Sequence, residues 1–250
     1  MNVTHKIFLY WLLYLALVGF AAVMLTLLGL PQMAFAHDKS YLSVSLVAMY
    51  FVAEALAGKQ AIWMSRQHRN LQDTSDWLKE HKLDSITCAT NGDIVLGSKE
   101  SRWTVIKGPF TDLIKGLVDK SLNGPKGRID QKELMDSFVE HLERRTSIGE
   151  FIAARIVWVG ILATIVGVIM AFWPFQQAGM SIDTMRSNLG EFFSGVAVAF
   201  IPTAVSFVFK ITLDFNTKII QDGMSEMIEV ATSISSSHVV PRLESGSVRL

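Results

Sequence analysis

Thr164, Thr203 and Ser206 are the residues of this 250-residue chain whose setting most suggests chemistry. Gly160, Ala163, Thr164, Gly167 and Ala171 are spaced so that in a helix they share one face. Gly195, Ala199, Pro202, Thr203 and Ser206 form a second such stripe. Hydroxyls on a stripe of small residues fit two readings. They allow close helix packing, with each threonine bonded to the carbonyl one turn back. They also offer neutral oxygens along a narrow polar path, or toward another protein's helix. No charged residue lies between Ile156 and Phe175, or between Phe192 and Phe209. Proton relays in membranes normally use carboxylates. If protons or sodium ions pass these hydroxyls, the titrating acid must come from another chain.

Two further residues stand out. Pro202 removes one backbone hydrogen bond and is expected to bend its helix near Val198, either passively or as a flexible point beside Thr203. Glu54 stands alone as a charge in an apolar run, about one turn from Gly58. It reads either as a group that reaches the interface or pairs with a basic residue such as Lys59 or Arg155, or as a carboxylate at a cytoplasmic ion entry.

Other chemistries lack their residues. His5, His37, His68, His81, His141 and His238 form no i, i+4 pair, so no metal site is expected. The single Cys88 excludes an intrachain disulfide framework and a cysteine-rich zinc site. No phosphate-binding or nucleophile-elbow motif occurs. An intramembrane protease would need a base or paired aspartates at depth. Enzyme activity and resident cofactors are therefore not expected.

The elements that position the hydroxyls follow from composition. Half the residues are hydrophobic, 18% are charged and the net charge is zero. That balance argues against nucleic-acid binding and against disorder. The apolar residues are bunched into four runs of membrane-spanning length, at 7–30, 41–58, 156–175 and 190–209. Ala34-Phe35-Ala36 resembles a leader cleavage site, but the run before it is about twice the usual length. It is read as a span. At 1.5 Å per residue, Thr164 lies about 12 Å and Thr203 about 9 Å inside their spans, counted from the same membrane face.

Lys and Arg set the orientation. Residues 31–40 and 176–189 carry one each, Lys39 and Arg186, whereas 59–155 carries 16. The segment from Lys210 carries four and the N-terminus has Lys6. Both termini and the long insert are thus expected in the cytoplasm. The expected fold is an all-α membrane protein with long cytoplasmic helical extensions and a small β-hairpin insert. Its parts are a transmembrane hairpin (1–58), a cytoplasmic insert (59–153), a second hairpin (154–210) and a helical tail (211–250). In the insert, residues 59–82 can continue the second span. The runs 86–90, 94–96 and 103–106 read as strands, with Asn91-Gly92 as a hairpin turn. Phe110 to Leu122 reads as a short helix burying Leu113, Leu117 and Val118. A loop is expected at 123–127. Leu134, Phe138 and Leu142 then keep a helical period into the third span.

The third run, Gly160-Ile161-Leu162-Ala163-Thr164-Ile165-Val166-Gly167 with Met170-Ala171-Phe172, resembles a helix motif of the MotA/TolQ/ExbB proton-channel family. Gly195 to Ala204, including Pro202 and Thr203, resembles that family's following helix. The close match covers about 60 residues, and the two-hairpin topology is similar to the MotA branch. The resemblance implies a homopentamer around a single-span MotB/ExbD/TolR-like partner that carries a membrane aspartate. It implies that Thr164 and Thr203 face that aspartate, and that passage of H+ or Na+ turns one part against the other. Three features depart from the pattern. Val198 stands where the TolQ and ExbB branches have an acid, Val157 stands where flagellar stators have proline, and the hairpin at 86–106 is not typical. The expectation is an inner-membrane motor or channel subunit of bacteria, multi-pass, serving some other driven process. The alternative is a non-conducting tetraspan scaffold.

Overall fold

The computed structural model describes residues 6–29, 32, 42–88, 93–123, 129–177 and 182–245. The expected loop at 31–40 with its Ala34-Phe35-Ala36 segment falls, but for Gln32, outside the described residues, as do the Asn91-Gly92 turn and residues 124–127.

Helices dominate. In order they are α1 (Lys6–Leu27), α2 (Leu42–Glu80), α3 (Pro109–Asn123), α4 (Lys132–Gln177) and α5 (Ile182–Ile234). One π-helical turn, Ser235–Val239, leads into α6 (Val240–Glu244). Between α2 and α3 lie β1 (Ser85–Cys88), β2 (Ile94–Gly97) and β3 (Arg102–Val105). Four helices, α1, α2, α4 and α5, are long and apolar enough to cross a membrane, as in a multi-pass membrane protein. α1 is apolar on every side, and Leu13, Leu17, Phe20 and Leu27 all point outward. A helix greasy all round needs lipid or protein against it everywhere.

A single crossing takes about 20 residues. α2, α4 and α5 have 39, 46 and 53 residues, so each carries at least about one further crossing's length of helix, and α5 about one and a half. The reason is local. Lys59–Glu80 and Lys132–Arg155 contain no proline, and their Glu, Lys, Arg, Leu and Met are good helix formers. α5 passes through Pro202 without interruption.

The chain divides into two compact units. The first comprises 1–9, 60–146 and 219–250. It holds the sheet, whose order is β1-β2-β3, antiparallel throughout. The register opposes Ile86 to Leu96 and Ile94 to Val105, so four apolar side chains share the buried face. α3 lies against β2 and against α6. It buries Phe110, Leu113, Ile114, Leu117 and Val118, which include the Leu113, Leu117, Val118 face expected from the spacing. Trp103 Nε1 donates to Thr74 Oγ1 at 3.1 Å and Trp77 Nε1 to Ser101 Oγ at 3.2 Å, pinning the sheet to α2. Arg242 donates through Nε to the Asp84 carbonyl at 3.0 Å, tying the C-terminal turn to the entry of β1. Leu117 is wholly buried at the centre of this unit. Leu117→Ala is expected to cost about 3 kcal/mol, the usual range for a core leucine. Loss of amide-exchange protection confined to α3 and β2 would be the readout.

The second unit comprises 10–59 and 147–218. Its core joins Leu46, Tyr50 and Ala53 of α2, Ala153 and Ile156 of α4, and Leu213 of α5. Tyr50 stacks on Phe209 with ring centres 4.3 Å apart, and Tyr14 of α1 stacks on Phe215 at 4.6 Å. The residues singled out in the sequence for chemistry all belong to this unit.

Candidate functional site

The two small-residue stripes face each other. Ala163, Ala171 and Ala199 are almost wholly buried, and Ile161, Ile165, Ile169, Phe200 and Phe207 point away. Gly167 of α4 meets Ala199 of α5, and Gly195 of α5 meets Ala171 of α4. A Cβ at either glycine would stand 2.7 Å from the facing alanine Cβ and closer still to its backbone. The helices approach so nearly that only hydrogen fits at those two positions. Gly160 packs in the same way against Ser206 and Thr203.

This close approach brings Thr164 and Thr203 together. Their hydroxyl oxygens are 2.5 Å apart. Thr203 Oγ1 lies 2.7 Å from the Gly160 carbonyl across the seam and 3.2 Å from the Ala199 carbonyl one turn back. Thr164 Oγ1 lies 3.3 Å from the same two carbonyls, Gly160 in its own helix and Ala199 opposite. Two hydroxyls and two carbonyls thus form a near-symmetric group of four oxygens. Each hydroxyl has one proton to donate. Two protons therefore serve five short contacts, and the donation can run from Thr164 through Thr203 to Gly160, or in reverse to Ala199. Such a pair can reverse its hydrogen-bond direction without moving a heavy atom far. It also keeps spare lone pairs for a passing cation.

Both threonines are half-buried, so each keeps an open side. Ser206 is fully buried and donates to the Thr203 carbonyl at 2.7 Å. Its hydroxyl is committed to its own helix, and its contact with Gly160 is packing. Pro202 is buried on the same face of α5. The side chain of Val198 falls outside the described residues. No salt bridge among the described residues involves a residue of this seam, and the nearest charges on α5 toward its C-terminal end, Lys210 and Asp214, pair with one another.

Glu54 lies elsewhere. It is 6% exposed, on the α2 side of α5. Its carboxylate accepts from Tyr50 Oη at 2.9 Å and from Asn216 Nδ2 at 2.8 Å to each oxygen. These neutral donors take the place of the expected Lys59 or Arg155, and Arg155 instead covers the Phe151 ring at 4.7 Å. The reason is helical phase. Tyr50 is four residues before Glu54 on the same face, whereas Lys59 is five residues on and points elsewhere. The Trp11 indole is turned toward the carboxylate and packs over Gly58. Tyr14 Oη donates to the Thr212 carbonyl at 3.0 Å, one turn before Asn216.

Asn216 is 13 residues beyond Thr203 on one helix. That is about 20 Å along and about 140° around the axis. The Glu54 cluster and the threonine pair therefore occupy different faces of α5, and the structure does not join them. Sequence reading missed Tyr14, Tyr50, Thr212 and Asn216. The signal available was the i, i+4 spacing of Tyr50 with Glu54 and of Thr212 with Asn216. No protein-family model matches the sequence, and no curated protein matches it either.

Proposed function

We propose that this chain is the channel-forming subunit of an ion-driven motor in the bacterial inner membrane, working with a single-span partner that carries a membrane aspartate. Five copies surround the partner's helix, and both termini lie in the cytoplasm. The transported ion is a proton or sodium ion. The observation that carries the reading is the Thr164–Thr203 pair: a reversible hydroxyl pair in an apolar seam, open on one side and with no acid or base beside it among the described residues. A pair of that kind can pass or steady a cation but cannot titrate. It needs a carboxylate brought to its open side. The sequence resemblance of 160–172 and 195–204 to the MotA/TolQ/ExbB family supplies the identity of that carboxylate.

The tight glycine–alanine seam favours the second reading, a tetraspan scaffold whose stripes serve packing alone. Partner capture separates the two. Purification from native membranes is expected to bring down a short protein with one span and an aspartate near its start. Vesicles holding both chains are expected to dissipate an imposed proton or sodium gradient, and the partner's Asp→Asn change is expected to stop it. Vesicles that stay tight with both chains present would leave the scaffold.

A further inference from the structure

The Glu54 cluster carries a formal negative charge with no positive side chain among its partners in the described residues. Tyr50, Asn216 and Trp11 are all neutral. A charged side chain among apolar helices is normally paired with an opposite charge. Asn216 adds a second observation. It is 1% exposed, its amide nitrogen is spent on both Glu54 oxygens, and its carbonyl oxygen Oδ1 is buried with no hydrogen-bond partner. Buried carbonyls are rarely left this way. Around one point there are thus the Glu54 carboxylate oxygens, Asn216 Oδ1 with no donor among the described residues, and the lone pair of Tyr50 Oη. Acceptors exceed donors, and the net charge is minus one.

We propose that Glu54, Asn216 and Tyr50 form a binding site for one monovalent cation, a proton or a sodium ion. A proton on Glu54 lets the Asn216 amide turn over: the acid O–H donates to Oδ1 while Nδ2 donates to the other carboxyl oxygen. Every polar atom of the pair is then satisfied. Sodium would be held by the same oxygens. A divalent ion would leave surplus charge, because no cluster of three His, Cys, Asp or Glu side chains forms among the described residues. The groups around Glu54 do not compete for the charge. Tyr50 comes from its own helix, Trp11 and Tyr14 from α1 and Asn216 from α5, and α4 adds apolar Ala153 and Ile156 to the core that holds Tyr50. The site is on another face of α5 from the threonine pair, so it does not rest on the motor reading.

The test uses the purified full-length chain in detergent. Thermal unfolding is compared in NaCl and in choline chloride at fixed pH. The infrared band of protonated carboxyl groups is followed against pH. If sodium is the occupant, a hundredfold excess over Kd is expected to raise Tm by about 5 °C or more in the wild type and not in Glu54→Gln. If a proton is the occupant, sodium has no effect, and a carboxyl band titrates in the wild type and is missing in Glu54→Gln. Asn216→Leu keeps the carboxylate but removes the orphan carbonyl. It is expected to weaken apparent sodium affinity at least tenfold, or to move the band to the position of a free acid. Should Glu54→Gln fail to fold, that variant carries the comparison. No response to either ion in the wild type, or a response unchanged in both variants, would overturn the proposal.

Discussion

Replacing both Thr164 and Thr203 with valine is expected to abolish ion-coupled function while leaving a folded, assembled protein. Valine has nearly the shape of threonine, so the seam between α4 and α5 keeps its packing. Both partners of the Oγ1–Oγ1 contact disappear together, which is far less costly than leaving one unpaired. The Gly160 and Ala199 carbonyls keep their helical ladder bonds. A net loss of about 1–2 kcal/mol of stability follows from the two neutral hydrogen bonds. The effect on a passing cation is larger. A hydrogen bond or ion–dipole contact to a charged species is worth about 1.5–3 kcal/mol, and two are removed. Flux should fall by at least about a hundredfold, at tenfold per 1.4 kcal/mol. Gradient-driven flux in vesicles, with partner co-purification as the control for assembly, reads both halves of the prediction. A double variant with wild-type flux would leave the hydroxyls as packing groups.

Gly167→Ala is expected to do the opposite, damaging the fold first. The added methyl meets Ala199 Cβ at 2.7 Å and its backbone atoms more closely. Backbone cannot swing aside as a side chain can, so α4 and α5 must part. Overpacking of this kind costs up to about 3 kcal/mol, and more where nothing can yield. For a chain of this size that corresponds to a fall in Tm of roughly 6–12 °C. Gly195→Ala at the Ala171 contact is expected to behave alike. Gly19 in α1 has nothing within 4 Å of the same position. Gly19→Ala is thus a control that should hold or slightly raise Tm, since alanine is the better helix former. Ala199→Gly should not rescue Gly167→Ala, because it removes only one of the three nearest atoms. Full rescue would mean that side-chain volume, and not backbone approach, sets the seam.

Much of this architecture was readable in the residues because it rests on patterns with one physical solution. Apolar runs of about 20 residues with at most one charge leave little choice but a spanning helix. Proline-free stretches after Gly58 and after Asp130 let α2 and α4 run on as single helices. The Leu113, Leu117, Val118 face marked the buried side of α3, and Asn-Gly before the β-prone run at 94–96 marked β2. The small-residue stripes marked one face each of α4 and α5, because spacing alone decides what shares a face, but left open whether those faces meet each other or a partner. The surroundings of Glu54 were not readable. Asn216 is 162 residues away in sequence, beyond the apolar run that was counted as the fourth span. Nothing in local spacing says which face of α2 meets which face of α5. Charge arithmetic favoured Lys59 or Arg155 as partners, and helical phase overrode it. Ser206 shows the same limit: its place on the stripe is visible in the sequence, but its use as a local bond to Thr203 is a matter of rotamer.

The central claim is that the hydroxyl pair works against a carboxylate from another chain. Native mass spectrometry of the complex drawn gently from its own membrane tests this most directly. Five copies of the 27.8 kDa chain are expected, bound to a smaller protein with one apolar span and an aspartate within it. A stable assembly of any other number, with no such protein attached, would contradict it.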